Sequence, residues 1–479
     1  MTEGGPVEKK PAHGSPDWWF KVLATRLVDR RIGRTNGKKW DRSQLKSTKS
    51  RPGLELLDAY RRGEPPLQNV ASEWQPHVRE FMRVNRLHIA DLLVASSANR
   101  MQLRDFRTAA ADDEVGDQRA RDIMRLNGMK VKARDLHTDM LALGDAYTIT
   151  TPKTADEKYA RITAESPLEV ITAHDPVTGE IVAGLKLFRD EFDGDDIAYL
   201  YLPGVIKRAT KPGVTTITAS GFRFSDKWSW DDQFGQDKTG EELVPGNRLP
   251  IARFQNRDGV GEFERHLGTL DRINDKIANE WWLGKLQAHR QGAVKGLPDK
   301  DDEDEDIDYT DVFIRDPAAL WRVPKDVDFW ESNTTDITSL SNSIQKDLER
   351  LAAVTQIALA SITPDAADGS AEGAALMREE HVFKVEDRLD RAAGGWAQTM
   401  SHAFYFSDDE DRAELSQLEA LWGPIERFSL EQKSQAASQV NGILPTEAIY
   451  TDILQYPPAE VANLRVMRGR DMLYQGTPV

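Results

Sequence analysis

The densest group of ionisable side chains in the 479-residue sequence is Asp299–Asp308, where eight of ten residues are Asp or Glu. Carboxylates in such number could hold a divalent cation, but the run lacks the glycine and terminal glutamate of a calcium loop. Like charges this close repel one another and stay solvated, so the run reads as an exposed loop. A second candidate is Gly259-Val260-Gly261. A phosphate-binding loop of the Gly-x-Gly-x-x-Gly kind needs a third glycine where this chain has Glu264, so the pair reads as a flexible lead into a helix. The nine histidines show no metal-ligand spacing, and there is no cysteine to supply a thiolate or a disulfide. Neither a Gly-x-Ser-x-Gly elbow nor a Gly-x-x-x-x-Gly-Lys-Ser/Thr loop is present. The expectation is a protein that is not an enzyme, with no catalytic residue, no metal and no cofactor.

What remains is a set of elements that would position surfaces rather than reactive atoms. Three long helices are predicted between Glu262 and Phe406. Phe263, Leu267, Leu270, Ile273, Ile277 and Trp281 recur at steps of three and four, one face of a 3.6-residue repeat. Ile337, Leu340, Ile344, Leu348 and Leu351 repeat the pattern, as do Leu376, Phe383, Leu389, Ala393, Trp396, Met400 and Phe404. Helices of this length with one apolar face need neighbours, and some of these are expected to be copies of the same chain. A polar loop, Ser361–Ser370, separates the second helix from the third, with Pro364 and Gly369 interrupting both helical and strand patterns.

Ahead of them, Leu54–Asn127 reads as helical, with Leu87, Ile89, Leu92, Leu93 and Met101 on a buried side, and Asp122–Leu143 as a helix closed by Gly144. The period then changes to two. Strands are predicted at 146–150, 159–163, 168–172, 180–189, 197–202 and 204–209, giving an α+β organisation with an antiparallel region between helical ones. Residues 1–51 carry 13 Lys and Arg against 5 Asp and Glu, a net of +8, which leaves −24 on the rest of a chain whose total is −16. A basic arm on an acidic body suits contact with an acidic partner, whereas the body does not suit tight sequence-reading of DNA. No apolar run is long enough to span a membrane.

Several short runs, in order, resemble the portal (head–tail connector) proteins of tailed phages, of the SPP1-type group. They are Asn85-Arg86-Leu87 with Ile89-Ala90-Asp91, Leu143-Gly144-Asp145-Ala146-Tyr147, Arg253-Phe254 with Asn256 and Gly261-Glu262, Asp336-Ile337-Thr338-Ser339-Leu340, Gly395-Trp396, and Asn441-Gly442-Ile443-Leu444-Pro445. The resemblance covers roughly residues 50–470. It implies a ring, usually of twelve subunits, at one capsid vertex of the virion, assembled in the host cytoplasm, with double-stranded DNA passing along its axis without sequence-specific contact.

By that likeness, 1–51 would be a basic, partly disordered arm, 52–261 the wing, 262–290 and 335–357 stem helices, 291–334 the clip, 358–372 the tunnel loop, 373–406 the long wing helix and 407–479 a helical crown. Thr363, Asp365, Asp368 and Ser370 would then sit on the tunnel loop beside DNA, and Lys346 and Arg350 would give a sparse basic ring, unless they pair with Asp347 or with acids of a neighbouring subunit. Asp301, Asp302, Glu303, Asp304 and Glu305 would present the clip to basic partner surfaces. Implied partners are the terminase large subunit, the major capsid protein, a scaffolding protein and a head–tail adaptor, with no membrane. Two rival readings are a non-channel virion or adaptor protein and a metal-dependent nuclease built on the Asp/Glu runs.

Overall fold

A computed structural model describes residues 11–35, 38–39, 51–66, 76–108, 116–213, 228–235, 237–288, 292–296, 328–331, 336–357, 371–426, 429–456 and 458–475. The chain divides into two units, one built from 1–66, 88–268 and 351–479, the other from 67–87 and 269–350.

The first unit starts with helix α1 (Pro16–Ile32). Ser15 accepts a hydrogen bond from the Trp18 amide, Pro16 is preset for a first turn, and Gly33 closes the helix at φ 69°. Phe20, Leu23, Ala24 and Leu27 are buried, so this part of the basic N-terminal stretch belongs to the core and is not a free arm. After the two-residue strands β1 (Arg34–Thr35) and β2 (Lys38–Lys39) come α2 (Leu54–Arg61), α3 (Pro76–Val84, in the second unit), α4 (Ile89–Ala98), strand β3 (Leu103–Arg107), α5 (Gln118–Leu126) and α6 (Met129–Leu143). The helical reading of 54–127 therefore fails at β3, and Leu87, expected inside, is 51% exposed.

The predicted β region is present, with shifted ends: β4 (Asp145–Thr151), β5 (Arg161–Glu165), β6 (Val170–His174), β7 (Ile181–Arg189), β8 (Asp196–Leu202), β9 (Val205–Lys211), β10 (Ser229–Trp230), β11 (Glu241–Leu243) and β12 (Ile251–Gln255). Strands β6 to β10 form one antiparallel sheet in chain order, with β11 also pairing β9; a second sheet has the order β12–β4–β5. Ala183, Leu185 and Leu187 alternate with Gly184, Lys186 and Phe188 on β7, and with Ala198, Leu200 and Ala209 they form the surface that α1 covers. That burial accounts for the period of two.

The later elements are α7 (Leu267–Ala288), β13 (Gly292–Lys295), β14 (Asp328–Glu331), α8 (Thr338–Thr355), α9 (Ala371–Tyr405), β15 (Glu419–Trp422), α10 (Leu430–Val440), α11 (Thr446–Ala448) and α12 (Pro458–Gln475). Strand β15 pairs antiparallel with β3, joining segments more than three hundred residues apart. Helix α9 has 35 residues and would measure ~52 Å at ~1.5 Å per residue. Its expected apolar face is buried at Leu389, Trp396, Met400 and Phe404 but not at Phe383, which is 61% exposed. On α7 the face is buried from Leu267 to Ile273 and ends at Trp281, 37% exposed. The α+β class follows from these elements.

Candidate functional site

Runs that lie far apart in the sequence converge in the first unit. The β4–β12 ladder sets Tyr147 opposite Arg253, Ala146 opposite Phe254 and Asp145 opposite Gln255. Arg253 donates to Asp145 Oδ1 through Nε at 2.9 Å and lies 2.8 Å from it through Nη2. Gly144 stands at φ +91°, and a Cβ there would lie 2.1 Å from the Gly259 carbonyl oxygen. A Cβ on Gly261 would lie 2.1 Å from the oxygen of Ala142. The glycine pair at 259 and 261 is thus packed tightly against the end of α6; the flexible lead read from the sequence is corrected, because close backbone approach is what these glycines permit.

Across this junction Trp396 meets Phe254 edge-to-face, with ring centroids 4.8 Å apart. A Cβ on Gly395 would lie 2.7 Å from two Phe254 ring atoms, whereas Gly394 has open space beside it. Gly395→Ala is expected to cost about 1–3 kcal/mol by overpacking, while Gly394→Ala should hold or raise stability by up to ~1 kcal/mol. Denaturant midpoints of the two variants, compared with the parent, check this; equal shifts would contradict it.

Beside the junction, Glu262 is buried and takes Lys384 Nζ at 2.7 Å and Arg388 Nε at 2.8 Å. Burial pushes its carboxyl up, but the two cations more than offset that and hold it below the usual range. Lys384 also donates to the Thr355 carbonyl at 2.8 Å, and His381 Nδ1 stands 3.0 Å from the Gln356 carbonyl. These carbonyls lie at and just past the end of α8, where Gln356 turns the chain at φ +55°. Cationic and N–H donors satisfy carbonyls that a helix end leaves bare. The C-terminal end of α8 is therefore fixed by α9. The sequence reading missed this, although Lys384 and Arg388, one turn apart and each beside an apolar position of α9 (Phe383 and Leu389), were a visible signal.

In the second unit, α7 and α8 run antiparallel and are joined by a polar seam. Arg272 Nε lies 2.9 Å and Lys276 Nζ 2.8 Å from Asp347 Oδ2, Lys276 also reaches Ser343 at 2.7 Å, and Ser341 donates to Glu280. Steps of four on α7 put these three side chains on one face. Hydrogen bonds from Arg272 and then Lys276 hold the Asp347 carboxyl down at about 2. Its folded value is below the unfolded 3.8, so the stability it contributes is present above that value and is lost as pH falls through about 2. Arg272 is half exposed, which screens the pair. Asp347→Asn should thus cost about 1–2 kcal/mol near neutral pH, read as a lower melting temperature and a loss that fades in acid.

Of the expected site residues, Thr363, Asp365, Asp368, Ser370, Asp301, Asp302, Glu303, Asp304 and Glu305 lie outside the described residues. The acidic run is bracketed by the antiparallel pair β13–β14, which sets Lys295 opposite Asp328. Lys346 and Arg350 both lie on exposed parts of α8. Arg350 Nη1 is 3.4 Å from Asp347 Oδ1, the pairing that the sequence left open.

Among the described residues, no three His, Asp or Glu side chains gather into a metal-holding group, and no helix is long and apolar enough to cross a membrane. His137, His174, His266, His381 and His402 are all pushed below the usual histidine range, in each case first by burial.

No curated protein matches the chain. A solved structure titled "Neck of empty GTA particle computed with C6 symmetry" is similar at 11% identity and a TM-score of 0.43, covering 81% of this chain and 96% of its own. The family model described as "Phage portal protein, SPP1 Gp6-like" matches residues 46–455, the greater part of the chain. That span takes in the α6–β4 corner, the β12 strand, the seam of α7 and α8, and all of α9. The chain belongs to the SPP1 Gp6-like family of phage portal proteins.

Proposed function

We propose that the chain works as a structural ring, with copies arranged head to tail about an axis through which double-stranded DNA is packaged and later ejected. The observation that carries this reading, beyond the family, is the apolar surface left on the long helices of a single chain. Trp281 and Trp282 are 37% and 45% exposed on α7, Val354 66% on α8, and Phe383 61% on α9. Heterologous contacts that close into a ring would cover such side chains. Residues 262–290 and 335–357 would be the stem, 291–334 the clip that meets the terminase and then a head–tail adaptor, and 358–372 the tunnel loop. The loop's Thr363, Asp365, Asp368 and Ser370 would touch the duplex backbone without reading bases. Lys346, which has no acidic partner among the described residues, is free to face the channel, whereas Arg350 would reach it only by sharing Asp347. An acidic wall repels a polymer with a phosphate charge every ~1.7 Å, so DNA would slide without sticking. The ring would stand at a virion vertex, with the major capsid and scaffolding proteins as neighbours. Negative-stain electron microscopy with mass determination in solution tests this. Rings with an open axis are expected; a monomer that persists across concentration and salt would sink the reading.

A further inference from the structure

A second site lies in the first unit, in an open cleft of roughly 1000 Å³ bordered by the β6–β7 turn, residues 247–255 and the C-terminal half of α9. Two features of its wall are unusual. Arg248 lays its guanidinium 4.0 Å over the Tyr405 ring and donates to Ser401 Oγ at 3.2 Å, yet has no carboxylate partner among the described residues. The other cleft arginine, Arg253, is committed to Asp145. His402 lines the same cleft, is only 6% exposed, and its Nδ1 is buried with no hydrogen-bond partner. A buried polar atom left unpaired calls for an explanation, commonly a missing water or ion. The wall thus presents a guanidinium with no acidic partner among the described residues, and the group that pairs with it is an anionic oxygen.

We propose that this cleft binds a carboxylate, held by the fork of Arg248 and neighboured by His402. The guanidinium presents parallel N–H donors that match two carboxylate oxygens, and its Tyr405 and Ser401 contacts fix the fork before binding. Carboxylate is favoured over doubly charged phosphate because Glu180 and Glu414 also line the cleft. Both are exposed and therefore screened, which a single negative charge tolerates better than two. The cleft is wide enough to admit an acidic side chain on a peptide segment as well as a small free carboxylate. None of the residues that line the cleft belongs to α7 or α8.

Isothermal titration of the full chain distinguishes the sources. The probes are acetate, a capped pentapeptide with one central Glu, and the same peptide with Gln. Saturable binding at one site per chain is expected for the Glu peptide, for acetate, or for both, weakened about tenfold or more by Arg248→Gln. Preference for the Glu peptide over acetate assigns a protein segment as the source; binding of acetate alone assigns a free solute. Should Arg248→Gln fail to fold, Glu414→Gln provides the check, because removing an exposed acid from the wall must tighten binding severalfold. No saturable binding of any probe to the parent protein, equal binding of the Glu and Gln peptides without any of acetate, or affinity indifferent to both substitutions would overturn the proposal and leave a water-filled cleft.

Discussion

Replacing Glu262 with glutamine is expected to lower the stability of the first unit by about 3–5 kcal/mol, the range for stranding buried cations by removing their partner. The side chains of Lys384 and Arg388 are 3% and 9% exposed, so neither can turn to water when the carboxylate goes. Burial already pushes the Lys384 ammonium below its usual range, and the contact with Glu262 acts against that shift. Asn256 Nδ2, which donates to Glu262 at 3.1 Å, would face an amide of the same kind. The damage should reach the end of α8, because Lys384 also donates to the Thr355 carbonyl and loses the partner that holds it there. Denaturant unfolding reports the first effect and amide exchange at residues 355–357 the second. The companion double variant, Glu262→Gln with Lys384→Met, should recover part of the loss, since it no longer buries an unpaired ammonium. A loss under about 1 kcal/mol in the single variant would mean that the network is incidental.

This network marks the boundary between what the sequence discloses and what only the fold reveals. Periodicity located α7, α8 and α9 because each carries an apolar stripe that is buried over part of its length, and alternation located β6 to β9 because α1 covers one face of their sheet. It could not locate β3 or β12. The partner of β3 is β15, and that of β12 is β4, so their pairing is decided by segments distant in sequence rather than by local pattern. The glycines at 144, 259 and 261 read as caps and flexible joints, yet they are set by backbone approaches that spacing does not encode. Phe383 and Trp281 continued the apolar pattern although the chain leaves them 61% and 37% exposed. The candidate site was legible only in part. Lys346, Arg350 and Asp347 were visible as charges one turn apart, but the seam depends on Arg272 and Lys276, some seventy residues earlier. The cleft around Arg248 and His402 had no signature at all, because an arginine lacking an acid can be recognised only once every neighbour is placed.

The second large effect is expected at His137, in the same core. Its Nδ1 lies 3.0 Å from the Met101 carbonyl and its Nε2 accepts from Trp396 Nε1 at 2.9 Å, so the neutral ring donates on one side and accepts on the other. Both bonds are buried, and Trp396 is among the largest fully buried side chains. Phenylalanine would fill most of the space while leaving an indole N–H and a carbonyl unpaired. At about 1–3 kcal/mol for each orphaned group, His137→Phe should cost about 2–5 kcal/mol at neutral pH. Burial holds the ring down at about 4, against an unfolded value of 6.5. Between those limits the unfolded chain binds the extra proton, so stability rises with pH there and falls as pH drops from 6.5 toward 4. Going from neutral pH to about pH 5 should remove roughly 2 kcal/mol through this one residue. Other buried histidines titrate with the same sign, so the parent's acid sensitivity alone does not isolate His137. The difference between parent and variant does: the gap in unfolding free energy should narrow as pH falls, because the variant has no imidazole to protonate. A gap that stays constant from neutral pH to about 4.5 would show that His137 is not held neutral by the fold. The Trp396–Phe254 contact would then have to stand without the tautomer that orients it.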